Sequence, residues 1–157
     1  RTNIFLNSKF YLYIQQKLQK KKKPMKNKVK GSNAERELLF KLYANGFGVV
    51  RVAGSGSISI PTPDILAIKH KKGCAIECKT KSGEYLNIKE SQIQELNIFE
   101  KRTGFKSYIA WRLEKDNWYF ITPGKINKTK KAYSIKREEI KEKGMTFDKF
   151  ISLISEN

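Results

Sequence analysis

Pro63-Asp64-Ile65-Leu66-Ala67-Ile68 and Cys74-Ala75-Ile76-Glu77-Cys78-Lys79, separated by His70-Lys71-Lys72-Gly73, form the stretch whose reading decides the fold. Two short apolar runs joined by a polar, glycine-containing turn predict a β-hairpin, with Pro63 at or before the first position of its first strand. On a strand, residues two apart share a face. Cys74, Ile76 and Cys78 therefore face one way and suit a buried sheet face. Glu77 and Lys79 project together on the other, and Ala75 keeps that face narrow. A hairpin register can set Asp64 beside Glu77, which gathers two carboxylates and one amine at the edge of a sheet.

Working outward, Ser32-Asn33-Ala34-Glu35 reads as a capping box that opens a helix at Ser32. Ala34, Leu38 and Leu42 recur every four residues and give that helix one buried face, and Asn45-Gly46 ends it. Phe47 to Ala53 reads as a strand, followed by the flexible Gly54-Ser55-Gly56-Ser57. Downstream, Asn87 is expected to begin a second helix, with Ile88, Gln92, Leu96 and Phe99 near one stripe and Gly104 closing it. Ser107–Leu113 and Trp118–Ile121 read as two further strands with Trp111 and Trp118 as core or interface residues, and Gln92 is either a site-lining side chain or a surface one. After Pro123 the chain reads as irregular, until Thr146–Ile154 forms a closing helix. The predicted order is α-β-β-β-α-β-β-α, an α/β fold with helices flanking a mixed sheet.

The 157 residues suit a single domain. Thirty-three Lys and Arg against fifteen Asp and Glu give a net charge of +18, an excess that favours a polyanionic partner, nucleic acid or an anionic membrane surface. Residues 1–30 hold ten basic residues and no acid, so residues 31–157 keep 23 basic against 15 acidic, or +8. The body is basic without its tail. Residues 1–24 are expected to be either an upstream extension before Met25 or a basic arm, with 25–157 as the one functional domain. No run of about 18 apolar residues offers a transmembrane helix. Two cysteines and one histidine are too few for a Cys/His zinc module. Cys74 and Cys78, about 13 Å apart along one strand, cannot bridge each other. Gly54–Ser57 lacks the P-loop form, so no nucleotide cofactor is expected. An intracellular location is expected.

Hard oxygen ligands such as Asp64 and Glu77 suit Mg²⁺ or Mn²⁺, with waters and phosphate oxygens completing the shell. A nearby lysine can orient or deprotonate bound water or stabilise developing charge. This chemistry is phosphodiester hydrolysis. The bland alternative makes Asp64 a turn cap and Glu77–Lys79 an exposed cross-strand pair, since D…E-x-K is a short and common pattern. Glu35 is likewise explained by capping alone. Arg51, a charged residue closing a valine-rich strand, is either paired or aimed at an anion such as phosphate.

Four blocks agree in order and spacing with one family. Lys30-Gly31-Ser32-Asn33-Ala34-Glu35-Arg36-Glu37, Val50-Arg51-Val52-Ala53-Gly54-Ser55-Gly56-Ser57, Pro63-Asp64 and Ile76-Glu77-Cys78-Lys79 resemble the archaeal Holliday junction resolvases of the Hjc type across residues 28–122. The resemblance implies a restriction-endonuclease-like, PD-(D/E)xK core. It also implies a homodimer that uses Mg²⁺ to cut four-way junction DNA with paired symmetrical nicks, leaving 5′-phosphate and 3′-hydroxyl ends. By the same resemblance, Asp64 and Glu77 are metal ligands with Glu35 assisting, and Lys79 is the catalytic lysine. Arg36 and Arg51 contact DNA phosphate, with Lys30 taken as a further DNA-binding candidate. Ser55 or Ser57 supplies a serine needed for activity. Cys78 stands where a valine is common in the family, and the segment after about residue 122 diverges. Two rivals stay open: a related nicking or restriction-type endonuclease, and a non-catalytic basic nucleic-acid-binding module.

Overall fold

In the computed structural model, residues 27–52, 60–114, 117–130 and 132–156 are described, with side chains from residue 33 to residue 155. The first helix, α1, spans Asn27–Ala44 and leads into strand β1, Gly48–Arg51. Strands β2 (Ile65–Lys69) and β3 (Lys72–Lys79) form the expected hairpin. Strand β4 (Tyr85–Ile88) and helix α2 (Glu90–Thr103) then carry the chain over to β5 (Lys106–Glu114), which pairs parallel to β3. Strand β6 (Asn117–Ile121) returns antiparallel. The remainder comprises β7 (Asn127–Lys128), β8 (Tyr133–Lys136), helix α3 (Arg137–Lys143), β9 (Met145–Thr146) and helix α4 (Phe147–Glu156). The main sheet is mixed, in the order β1-β2-β3-β5-β6-β9, and a second sheet runs β4-β8-β7.

Each face of the main sheet has its own core. On one face, Ala34, Leu38 and Leu42 of α1, all fully buried at the predicted four-residue spacing, pack with Ile65, Ile76, Tyr108 and Phe120. Phe150 of α4 closes this face by stacking on Phe120 at 3.9 Å between ring centroids and meeting Tyr108 edge-on at 5.0 Å. Complete burial of such a ring contributes about 1.5–3 kcal/mol. Phe150 therefore finishes the core within one chain. The opposite face is covered by α2, α3 and the small sheet, through Leu86, Ile93, Leu96, Ile109, Trp111 and Ile140. Trp111 and Trp118 are core residues, as expected.

The hairpin strands are shifted from the sequence-based expectation, β2 running Ile65–Lys69 and β3 starting at Lys72, so that the turn is only His70-Lys71. Three larger differences accompany that shift. Helix α1 begins five residues before Ser32, at Asn27. Ser32 is thus inside the helix and not its cap. Gly31 costs a helix interior only about 1 kcal/mol relative to Ala, too little to stop a helix whose buried face is already anchored. Asn87 belongs to β4, opposite Ser134, and not to a helix. Leu86 and Ile88 point inward there while Tyr85 and Asn87 face out, the period of a strand, and α2 starts at Glu90. Finally, the segment after Pro123 is ordered into β7, β8, α3 and β9. Its strands are two to four residues long and pair mostly with distant partners, so no local periodicity announces them.

Candidate active site

A two-residue turn sets the register of the site. His70 and Lys71 both adopt left-handed backbone angles, φ 50° and 67°, between the paired residues Lys69 and Lys72. That is the geometry of a tight hairpin whose twist matches its strands. The antiparallel pairing then runs to Ile65 opposite Ile76, so the next position outward sets Asp64 against Glu77. Asp64 is held at both its main chain and its side chain. Its carbonyl accepts the Val52 N–H at 2.9 Å, and its Oδ2 accepts the Cys78 N–H at 2.8 Å.

Glu77 is half-buried, and its Oε1 accepts two donors: Lys79 Nζ at 2.7 Å and Gln92 Nε2 at 3.1 Å. Burial raises the Glu77 pKa above the ordinary value of 4.5. The charge of Lys79 opposes the shift, while the charges of Asp64 and Glu95 add to it. Lys79 is held with it, its side chain only 18% exposed. This pair is not the exposed cross-strand pair of the bland alternative. Cys78, between them in sequence, has a pKa raised by burial first and then by the charges of Asp64, Glu77 and Glu35.

The Glu35–Arg51 pair belongs to the α1 side of the sheet. Arg51 lies opposite Ile65, whose side chain joins the core under α1. Arg51 meets Glu35 Oε2 through Nε at 2.8 Å and through its terminal nitrogen at 2.7 Å. Two residues further along α1, Glu37 accepts Arg112 at 2.6 Å and the Trp118 indole N–H at 2.8 Å. This clamp ties α1 to the β5–β6 hairpin and so fixes where Glu35 stands. Glu37 was not singled out from sequence. The available signal was Trp118 itself, since a buried indole N–H needs an acceptor, but nothing local says which.

Asp64, Glu77 and Lys79 thus come together, Glu35 and Arg51 pair beside them, and Arg36 is exposed on α1. Gln92, open between site and surface, touches Glu77. Asp64 and Glu77 are the oxygen donors that could hold a hard cation. Among the described residues, no three acidic, His or Cys side chains converge as a closed metal cluster. Ser55, Ser57, residues 1–24 and the side chain of Lys30 lie outside the described residues. Cys74 and Cys78 are free thiols, as the strand spacing requires.

The sequence profile described as archaeal Holliday junction resolvase (Hjc) matches residues 26–157. The chain belongs to that family. Among its relatives, the crossover junction endodeoxyribonuclease Hjc of Archaeoglobus fulgidus is 34% identical over 108 residues, covering 69% of this chain and 79% of the relative. The Hjc enzyme of Sulfolobus acidocaldarius is 30% identical over 132 residues, covering 83% and 92%. The solved structure of the Archaeoglobus Hjc resolvase superposes with a TM-score of 0.70 at 28% identity, over 78% of this chain and 96% of that one. A bacterial homing endonuclease, at a TM-score of 0.54 and 13% identity over 85% of this chain and 96% of that one, shares the fold alone. The architecture is restriction-endonuclease-like, the resolvase fold expected from the four sequence blocks. No helix among the described residues is long and apolar enough to cross a membrane.

Proposed function

We propose that this chain is a crossover junction endodeoxyribonuclease that acts on four-way DNA as a homodimer and requires Mg²⁺, for which Mn²⁺ substitutes. The observation that carries the reading is the half-buried Asp64–Glu77–Lys79 cluster at the end of the hairpin, in a chain of the resolvase family. A hard divalent ion fits this donor set. Two carboxylates stand close enough that the charge of Asp64 raises the Glu77 pKa, and a cation between them would relieve that repulsion. Mg²⁺ is commonly held by one or two carboxylates plus substrate phosphates rather than by an all-protein cage. When bound, such an ion supplies a water of lowered pKa and offsets negative charge on the phosphate.

The chain's own groups divide the remaining work. Asp64, fixed by the Cys78 N–H, and Glu77, fixed by Lys79 and Gln92, present the ligand oxygens. Lys79 orients the attacking water and stabilises charge as its oxygen bonds to phosphorus and the bond to the 3′ oxygen breaks. The 3′ oxygen leaves with a proton, giving 3′-hydroxyl and 5′-phosphate ends. Arg51, held by Glu35, and exposed Arg36 bind the DNA backbone, with Lys30 and a serine at 55 or 57 contributing to substrate contact and activity. Glu35 supports the metal edge of the site. A two-fold dimer provides two such sites for two strands of like polarity.

The test sets a four-way junction against a linear duplex of the same sequence, each with Mg²⁺ or EDTA. Paired nicks in the junction with Mg²⁺ alone are expected. Mixed dimers of wild type and Lys79→Ala should nick once and seldom resolve. Equal cutting of the linear duplex would overturn junction selectivity, and full resolution by mixed dimers would overturn the two-site dimer.

A further inference from the structure

Glu77 receives its two hydrogen bonds on one oxygen and from two elements. Lys79 comes from the same strand, while Gln92 arrives from α2, across the β3-to-β5 connection. Its approach is fixed by packing. Ile93, next in sequence, and Leu96 are buried against the core of that sheet face, which turns the first turn of α2 toward the end of β3. Both donors use Oε1, so neither engages the carboxylate's other oxygen.

The two donors have different obligations. In the mechanism above, Lys79 must also serve the attacking water and the phosphate, and an ammonium that turns to substrate weakens its hold on Glu77. An amide on a separate, anchored helix has no such second task. We infer that Gln92 is a positioning residue: it pins Glu77 Oε1 while Lys79 works, and so keeps the other carboxylate oxygen aimed at the metal position. It donates a hydrogen bond without adding a second cation that would compete with the ion. Hydrogen-bond partners of metal-ligating side chains typically change metal affinity or activity by about 10- to 100-fold when removed. Gln92 is half-buried and its bond is longer than that of Lys79, so the lower end, roughly tenfold, is expected.

This inference rests on the proposed metal-dependent mechanism, and the experiment separates the two. Mn²⁺ affinity is measured by electron paramagnetic resonance on the DNA-free full chain, for wild type, Asp64→Asn, Gln92→Met and Gln92→Asn. Junction affinity is measured in EDTA and single-turnover cleavage across a Mn²⁺ titration. Met keeps the length of Gln and removes the donor; Asn keeps the amide but falls a methylene short. Both variants should bind Mn²⁺ roughly tenfold more weakly, bind junctions in EDTA as wild type does, and regain most of their cleavage rate at saturating Mn²⁺. Wild-type Mn²⁺ affinity in either folded variant overturns the inference. So does a loss confined to junction binding, which would make Gln92 a DNA contact. Undiminished Mn²⁺ binding by Asp64→Asn would instead overturn the metal site itself.

Discussion

The two ends of strand β3 use the burial of their side chains in opposite ways. At its start, Gly73 lies under the Phe105 ring, and Cys74 lines a mainly apolar cavity of about 330 Å³ with Phe47, Ala67, Tyr108, Leu153 and Ile154, to which Lys72 and Lys106 also contribute. Burial pushes the Cys74 thiol up to about 12, which keeps it neutral and costs nothing. At its end, burial acts on Glu77 in the same direction, but there a carboxylate must be kept available for chemistry. That end is accordingly supplied with hydrogen-bond donors: Lys79 and Gln92 on Glu77, and the Cys78 N–H on Asp64. One strand thus joins an end that keeps a buried thiol neutral to an end that organises charged groups.

The largest test of that contrast removes the organised charge. Asp64→Asn and Glu77→Gln should still bind junctions in gel shifts, with affinity falling steeply as salt rises, while cleavage falls by orders of magnitude. Undiminished cleavage by either variant in Mg²⁺ would leave the two ends of the strand functionally alike.

A second test reads the burial of Glu77 through stability. A carboxyl whose folded pKa is raised binds its proton more readily in the folded chain than in the unfolded one. It therefore contributes stability that is present below 4.5, its ordinary value, and lost as pH rises through the raised folded value. Melting curves in EDTA should show the Tm of Glu77→Gln gaining on wild type as pH increases across that window, then holding level. A difference independent of pH would mean that Lys79 fully offsets the burial.

At the apolar end, Gly73→Ala would bring a Cβ within 2.6 Å of the Phe105 ring. Such overpacking should cost about 1–3 kcal/mol in denaturant unfolding and leave single-turnover cleavage unchanged well below the melting temperature. A loss of cleavage there would show the two ends to be coupled. The smallest effect is on the thiols. Burial raises both, with nearby carboxylates adding to the shift at Cys78, so neither should react with a disulfide reagent at pH 8 until the chain is unfolded. Rapid labelling of Cys78 alone would mark the catalytic end as the more open.

The sequence by itself determined the hairpin and the side of β3 on which each residue lies, and it allowed Asp64 to stand beside Glu77 without fixing that pairing. The register itself came from the structure, where the expected turn His70-Lys71-Lys72-Gly73 closes over His70 and Lys71 alone. The hairpin and its faces were legible because a period of two and a polar turn between apolar runs are local signals. The buried face of α1 and the stop at Gly104 were legible for the same reason, being set by helical spacing and a left-handed glycine cap, φ 73°. Tertiary structure decided what depends on distant partners. Ser32 became helix interior, and Asn87 became a strand residue because Ser134 lies beside it. Whether Gln92 faced water or Glu77, and that Glu37 would hold Arg112 and Trp118, were settled by how α2 and α1 dock on opposite faces of one sheet. A side chain's periodicity says which face it occupies, but the atom it meets there is supplied by a segment that only the folded chain brings near.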